Sequence, residues 1–367
     1  MALFRRRGET PEQKRGGLVA GLIGATATLS LVAIAGLVWI WSVYWGPGPQ
    51  AGEGETTTVI LRSGAGVSEI GETLHEAGVI RSPDMFRAAA SLSGADRRLR
   101  AGEYEIESRL SLSGVIDKLV SGEVVRHFVT LPEGRSSTQA WDILNAEDVL
   151  TGEIPIPPEG SLLPETYEVT RGETRAEVVR RMQQAHDELL AELWAGRAAN
   201  LPIETPEEAV ILASIVEKET GLAEERPQVA AVFINRLRQG MRLESDPTIV
   251  YGVNGGRPLG RGIRRSELQR QTPYNTYLID GLPPTPIANP GREALAVVLS
   301  PPETEYLFFV ADGTGGHAFA RTFDEHLRNV ARWRAIEAER AGEPAETAPP
   351  EAVLEDARED AAEEGEP

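Results

Sequence analysis

Residues 211–221 read ILASIVEKETG, an almost wholly apolar run that ends in charged residues. Thr205, Pro206 and Glu208 precede it with the spacing of a helix start: a capping hydroxyl, proline at the first helical position and glutamate three residues after the cap. Gly221 is predicted to end the helix in a left-handed conformation. A helix that is apolar on most sides belongs inside a domain. The run therefore predicts a buried helix that delivers Glu217 at its carboxyl end.

A carboxylate in that position has unusual chemistry. Burial disfavours the charged form of Glu217, and the negative end of the helix dipole does the same, so both raise its pKa. A raised pKa suits a general acid at neutral pH. Lys218 acts in the opposite direction. The alternative interpretation, that Glu217 only hydrogen-bonds a neighbouring loop, stays open at this point.

Composition excludes several classes of protein. The chain has 367 residues, which is enough for two or three domains with real cores. A formal net charge of -19 argues against nucleic acid as a partner, because phosphate contacts need clustered Lys and Arg. The chain contains no Cys, which removes disulfides, thiolate metal ligands and thiol nucleophiles.

The amino-terminal segment predicts a membrane anchor. Five basic residues lie within residues 1–15, and no charged residue follows until Glu53. The apolar stretch exceeds the roughly 20 residues that cross a bilayer, and tryptophans gather at its far end, as at a membrane interface. We therefore predict a cytoplasmic terminus over residues 1–16 and a transmembrane helix over 17–45. The alternative, a cleaved signal peptide, is less favoured because no small-residue cleavage pattern follows the apolar stretch.

Three further regions follow from pattern and composition. Residues 46–55 read as a turn-rich linker. Residues 56–135 begin with the order strand, helix, helix, strand, which is typical of a LysM-like module and predicts a subdomain that either binds glycan or spaces the next domain from the membrane. Residues 342–367 are acidic with few large apolar residues and are predicted to be disordered.

Residues 136–341 are predicted to form the main domain. They contain a second capping box, Thr174 with Glu177, which opens a long amphipathic helix. Residues 241–292 are rich in Pro, Gly and Asn, and a loop region of this length beside the Glu217 helix predicts a cleft. The expected fold class is α+β: a transmembrane helix, a small LysM-like α/β subdomain and a mixed α/β catalytic domain.

Several types of active site fail on residue type or geometry. The five histidines show no metalloprotease spacing, and Ser214 lies within a helix rather than on a strand-to-helix turn. Ordinary glycoside hydrolysis needs two facing carboxylates, whereas Glu219 lies on the opposite side of the helix from Glu217. A single acid can still cleave a glycosidic bond when the substrate supplies its own nucleophile. Asp246 remains an outside candidate for a second carboxylate.

Six blocks carry a resemblance to a known family: residues 213–220, 232–237, 241–248, 272–277, 281–287 and 309–319. In this order they resemble the endolytic murein transglycosylases, the MltG or YceG-like family, and with the anchor the likeness covers residues 17 to about 335. Glu244 departs from the family pattern, which more often has Gln at that position.

The resemblance implies an activity and a site. The implied enzyme is a peptidoglycan lytic transglycosylase, a lyase that cleaves the bond between N-acetylmuramic acid and N-acetylglucosamine in nascent glycan strands and leaves 1,6-anhydromuramoyl ends. Glu217 is then the catalytic acid and afterwards the base. The positions that match the family blocks, Asn235, Asp246, Tyr274 and Asn275, are implied to bind substrate. No metal and no cofactor are implied.

The resemblance also implies partners and a location. Glycan strands, the inner membrane and a peptidoglycan synthase are the implied partners, with the catalytic domain in the periplasm and the amino terminus in the cytoplasm. The expected role is to terminate strand elongation. The competing hypothesis is a non-enzymatic, membrane-anchored scaffold that holds glycan through the LysM-like region.

Overall fold

The computed structural model describes residues 11–52 and 54–341. The predicted disordered tail, residues 342–367, lies outside this range, as do most of the predicted cytoplasmic terminus and Glu53 of the linker. The described chain divides into two compact units. The first unit runs to His127 and includes Thr170–Gly172, and the second consists of Phe128–Val169 and the chain from Glu173 onward. The sequence analysis places the end of the smaller subdomain at residue 135.

The first unit begins with a long apolar helix, α1 (Pro11–Trp45). Within it, Thr26–Trp45 is long and apolar enough to cross a membrane, and it is the only such helix in the described part of the chain. Most side chains of Thr26–Trp45 are exposed, as a lipid-facing helix requires. Near its end, Tyr44 packs against the core of the first unit.

The rest of the first unit is a small α/β fold. Its elements are β1 (Thr56–Leu61), α2 (Val67–Glu76), α3 (Pro83–Leu92), β2 (Gly102–Glu107) and α4 (Leu112–Ser121). The two strands pair antiparallel, so the chain has the predicted order of strand, helix, helix, strand. Alternate strand residues such as Val59 and Ile106 are buried against the helices, which gives this unit its own core.

The second unit is mainly helical. Its elements are β3 (His127–Thr130), α5 (Ser137–Ala146), β4 (Thr166–Val169), α6 (Arg175–Ala195), α7 (Pro206–Glu219), α8 (Arg226–Arg238), α9 (Asp246–Asn254), α10 (Arg265–Leu268), α11 (Arg292–Leu299), β5 (Phe308–Ala311), β6 (His317–Ala320) and α12 (Phe323–Ala341). β3 pairs with β4, and β5 pairs antiparallel with β6. Mixed helix and strand is therefore confirmed as the fold class.

Helix α7 forms the centre of this unit, as residues 211–221 predict. Eight consecutive residues, from Ala209 to Val216, are buried, and α6, α8, α9 and α11 pack around them. The predicted capping box is present: the Thr205 hydroxyl accepts from the Glu208 backbone nitrogen at 3.2 Å, and the Glu208 carboxylate accepts from that of Thr205 at 3.3 Å. Each Leu, Ile or Val buried here contributes about 1.5–3 kcal/mol. The core therefore fixes the direction in which α7 delivers its last turn.

The end of α7 differs from the prediction. Gly221 does not take a left-handed conformation. The helix ends because Thr220 is extended, with φ -133° and ψ 133°, and its hydroxyl accepts from the Leu222 backbone nitrogen at 3.0 Å. A threonine that bonds to its own following backbone competes with the helix, so this local hydrogen bond replaces a glycine stop.

Candidate active site

Glu217 lies in the last turn of α7 and is buried at its tip. Its side chain is only 6% exposed. The backbone N–H of Gly291, the residue that caps α11, donates to Glu217 Oε2 at 2.9 Å. Because Oε2 is held in this way, Oε1 is the oxygen available to carry a proton. A loop 74 residues further along the chain therefore orients the carboxyl group.

The surroundings raise the pKa of Glu217. Burial is the largest cause, and the negative charge of Glu133 acts in the same direction. The Gly291 N–H bond and the positive charges of Arg226 and Lys218 oppose the rise. The net direction is upward, which favours the protonated form that a general acid needs. Lys218 thus moderates this pKa without reversing its direction.

Arg226 lies between two carboxylates. Its terminal nitrogen Nη2 is 3.7 Å from Glu217 Oε1 and 3.9 Å from Glu133 Oε2. The Arg226 side chain is 9% exposed, and its Nε has no hydrogen-bond partner among the described residues. A buried guanidinium with an unused N–H can donate a hydrogen bond to a further oxygen, such as one from a substrate. The sequence analysis assigned no role to Arg226 or to Glu133.

The β5–β6 hairpin fixes the start of the helix that carries Arg226. Glu225, the residue before it, accepts from the His317 backbone nitrogen at 2.7 Å, and its other oxygen is 2.7 Å from His317 Nδ1. This pair anchors the amino terminus of α8. The family block that contains His317 thus acts on the site through Glu225.

Asn289 forms hydrogen bonds with two other loops that lead to the site. Its side chain donates to the Arg135 carbonyl at 3.0 Å and to the Ser137 hydroxyl at 3.3 Å, and it accepts from the Leu162 backbone nitrogen at 3.0 Å. Its own carbonyl accepts from the Gly134 nitrogen at 3.1 Å. Asn289 is fully buried, so these bonds fix the turn that carries Glu133 and the loop that leads to Gly291.

A second buried carboxyl group lies near the predicted residue Tyr274. Glu159 accepts from the Ser137 backbone nitrogen at 2.7 Å and from the Tyr251 hydroxyl at 3.1 Å, and burial raises its pKa. The Tyr251 ring lies 4.8 Å from that of Tyr274. The Tyr274 hydroxyl in turn bonds to Thr285 at 2.8 Å. Both rings are partly buried against the core of the second unit, so the role of Tyr274 toward substrate stays a prediction.

The predicted residue Asp246 lies at the start of α9 and is exposed, and the Tyr277 hydroxyl donates to it at 2.7 Å. Nearby, the Ser245 hydroxyl donates to Glu219. Burial raises the pKa of Glu219 to about 7, and the charge of Asp246 contributes to the rise. Glu217 and Glu219 therefore leave one helix into separate environments, as their opposite positions on α7 predict.

The two predicted asparagines have backbone partners. The Asn235 amide nitrogen donates to the carbonyls of Thr304 and Tyr306 at 2.9 and 3.0 Å. The buried Asn275 amide nitrogen donates to the carbonyls of Leu268, the last residue of α10, and of Arg270 in the loop that follows. Both amides thus hold loops in place, and their roles toward substrate stay predictions.

Glu244, the departure from the family pattern, pairs with the neighbouring helix. Arg236 donates to its carboxylate at 2.8 Å and also to the carbonyls of Leu307 and Arg242. The Glu244 backbone has a positive φ of 52°, which a side-chain ion pair helps to hold. Within the described part of the chain, no three His, Asp or Glu side chains converge in a way that could hold a metal ion.

Comparison with known proteins identifies the family of this chain. The model of the YceG-like family matches residues 59–332. A Bacillus subtilis strain 168 protein named endolytic murein transglycosylase is 29% identical over 303 residues, which cover 74% of this chain and 83% of that protein. A Streptococcus pneumoniae serotype 2 protein of the same name is 28% identical over 324 residues, which cover 75% of this chain and 58% of that protein.

A crystal structure of a YceG-like protein from Listeria monocytogenes is also similar, with 26% identity, a TM-score of 0.48, and coverage of 75% of this chain and 98% of that one. The family match extends from β1 to α12 and includes every predicted site residue. The resemblance drawn from the sequence blocks is thereby confirmed, and the chain belongs to the YceG-like family.

Proposed function

We propose that this protein is an endolytic peptidoglycan lytic transglycosylase with Glu217 as its acid. The observation that carries the proposal is the state of Glu217: a buried carboxyl group with a raised pKa, one oxygen held by a backbone N–H and the other left to donate a proton. The names of the related proteins from B. subtilis and S. pneumoniae support the substrate, which is the glycan of murein.

The chemistry begins with proton donation. Glu217 gives its proton to the oxygen that bridges N-acetylmuramic acid and N-acetylglucosamine, and the bond to the anomeric carbon breaks. The six-position hydroxyl of the muramic sugar then closes the 1,6-anhydro ring and loses its proton to a base, a role that the family resemblance assigns to the ionised Glu217. Arg226 stabilises the carboxylate that forms on Glu217, because its positive charge lies 3.7 Å away in a buried site.

The substrate-side assignment remains as the sequence predicts it. Tyr274 stacks on a sugar ring together with Tyr251, and Asp246 hydrogen-bonds a sugar hydroxyl from the exposed start of α9. Asn235 and Asn275 hold the loops that border the glycan and contact it at their edges. Catalysis needs no metal or cofactor.

The amino-terminal part of the chain anchors the enzyme in the membrane beside its substrate. Residues 17–45 anchor it in the inner membrane, with residues 1–16 in the cytoplasm and the domain of residues 136–341 in the periplasm. Residues 46–55 are the linker, and the LysM-like subdomain of residues 56–135 lies beyond it. The apolar helix and the order of strand, helix, helix, strand support this arrangement. There the enzyme terminates strand elongation beside a peptidoglycan synthase.

Mass spectrometry of the products tests the function. The full-length protein in detergent is incubated with uncrosslinked glycan strands. We expect internal fragments whose new muramic ends are one water lighter than hydrolysis products. Products with ordinary reducing ends would refute the transglycosylase assignment. Binding without any cleavage would favour the glycan-holding scaffold instead.

A further inference from the structure

Glu133 places a second carboxylate beside Glu217. Glu133 Oε2 and Glu217 Oε1 lie 3.9 and 3.7 Å from the same Arg226 nitrogen. The two oxygens are therefore at most 7.6 Å apart, which is the sum of those two distances. Paired carboxylates that act on one glycosidic bond are separated by about 5 to 9.5 Å. The spacing thus allows both groups to reach the same sugar.

The two carboxylates differ in their exposure. The Glu133 side chain is 44% exposed, whereas that of Glu217 is 6% exposed. Glu133 lies on a turn whose next residue, Gly134, has a positive φ of 69° and is bonded to Asn289. The turn is therefore fixed while the Glu133 carboxylate remains open to substrate and to water. A buried acid and an open carboxylate suit opposite proton transfers.

Both the Glu217 and the Glu133 carboxyl groups lie close to Gly291. Its N–H binds Glu217, and a Cβ atom at this position would lie only 1.9 Å from Glu133 Oε1. The backbone of Gly291 has an ordinary φ of -77°, so a larger residue here would act by displacing the Glu133 carboxylate and not by straining the backbone. The absence of a side chain at residue 291 is what lets Glu133 approach the acid.

Arg226 places a positive charge near both carboxylates without a hydrogen bond to either one. Its distances to both carboxylates exceed hydrogen-bonding range, and no bidentate ion pair forms. A tightly paired carboxylate would be a poor proton acceptor, because the guanidinium would stabilise its charged form. At these distances Arg226 lowers the repulsion between Glu133 and an ionised Glu217 and leaves both Glu133 oxygens without a hydrogen bond from the guanidinium.

We propose that Glu133 is the catalytic base of the ring-closing step, in place of Glu217 acting twice. This rests on the proposed function. The electrons of the broken bond go to the bridging oxygen, which receives the proton of Glu217. The six-position oxygen forms the new bond to the anomeric carbon, and its proton passes to Glu133. The proton that Glu133 has taken then passes to Glu217, directly or through water at the exposed Glu133 carboxylate, and both groups return to their starting states.

Stereochemistry supports an acid and a base on the same side. The 1,6-anhydro ring closes on the face of the sugar from which the bridging oxygen departs, and the N-acetyl group of the substrate can hold the opposite face between the two steps. A base for ring closure must therefore lie beside the acid rather than across the sugar. The approach of both carboxylates to Gly291 meets this requirement.

Kinetics of Glu133→Gln test the proposal. The full-length protein in detergent is assayed on uncrosslinked strands, with Glu192→Gln as the matched control because Glu192 is an exposed glutamate of α6. We expect kcat of Glu133→Gln to fall about 100-fold or more while KM changes less than about threefold, since the base acts on the transition state. The control keeps both constants.

Chemical rescue separates a base from a structural residue. Glu133→Ala leaves a gap that is open to solvent, so added formate should restore kcat at least about tenfold, with no effect on Glu192→Gln. A Glu133→Gln variant within about threefold of the wild-type kcat would overturn the proposal, as would a folded, slow Glu133→Ala that formate does not accelerate. In either case wild-type cleavage to anhydro ends would leave the proposed function standing.

Discussion

Glu217 and Glu219 are only two residues apart on α7, but their side chains lie in different environments. Both leave the last turn of α7, and burial raises the pKa of both. Glu217 is held by a backbone N–H and lies beside Arg226, whereas Glu219 is bound by a serine hydroxyl near Asp246. In the proposed function the first gives a proton to the substrate, whereas the second is a partly buried group that bonds to the start of α9.

Glu219 predicts a pH dependence of stability. Its pKa is raised to about 7 in the folded protein, whereas an unfolded glutamate titrates near about 4.3. Between these values the folded state holds a proton that the unfolded state has lost, so stability falls as pH rises through this window. Glu219→Gln keeps an acceptor for Ser245 and removes the titration. We expect it to unfold at higher temperature than the wild type at pH 8.

The pH series provides its own control. The difference between the two proteins should be smallest at pH 5, where it is about 1 kcal/mol, and should widen toward pH 8 to about 3–4 kcal/mol at most. Thermal unfolding at pH 5, 6, 7 and 8 measures it. A gap that stays constant across the series would show that Glu219 does not titrate in this window.

At the scale of elements, the site depends on contacts between loops that are distant in sequence. The helix pattern around residues 211–221 predicts α7 and the position of Glu217 because local spacing determines both. It contains no information that residues 133, 226 and 291 meet at its tip, since those contacts arise only when the second unit packs. The helix stop was mispredicted for a related reason: a threonine side-chain hydrogen bond did what glycine was expected to do.

Asn289 tests the connection between these loops. Asn289→Ala leaves the buried Leu162 N–H and Arg135 carbonyl without their side-chain partner. We expect a loss of about 2–4 kcal/mol in the free energy of unfolding. The turn that carries Glu133 and the loop before Gly291 would also shift, so kcat should fall by more than about tenfold in protein that remains folded.

The matched control is Asn254→Ala, which removes an exposed amide with one hydrogen bond to a nearby carbonyl. Its unfolding free energy should change by less than about 0.5 kcal/mol. Urea unfolding followed by fluorescence, with kcat measured on the same preparations, provides the comparison. Equal stability losses in the two variants would contradict the structural role assigned to Asn289.

At the scale of the whole molecule, composition and the order of predicted elements were enough to predict the general architecture. The apolar run after the basic terminus predicted a helix that is long and apolar enough to cross a membrane, and period and turn residues predicted the order of strand, helix, helix, strand that follows it. The family blocks predicted the family, which the match over residues 59–332 confirms. Sequence spacing missed Glu133, Glu159 and Asn289 because each acts through a partner more than 20 residues away. Arg226 is close to Glu217 in sequence, but the two lie on different helices, and the pattern of one helix does not determine how the next one packs.

The most direct test of the account is the cleavage rate of the full-length Glu217→Gln protein on uncrosslinked glycan strands, compared with the wild type and with Glu192→Gln. Glutamine keeps the shape of the side chain and the Gly291 hydrogen bond but has no proton to donate. The account predicts a folded protein whose cleavage falls by at least about 1000-fold. Cleavage within about tenfold of the wild type would contradict it.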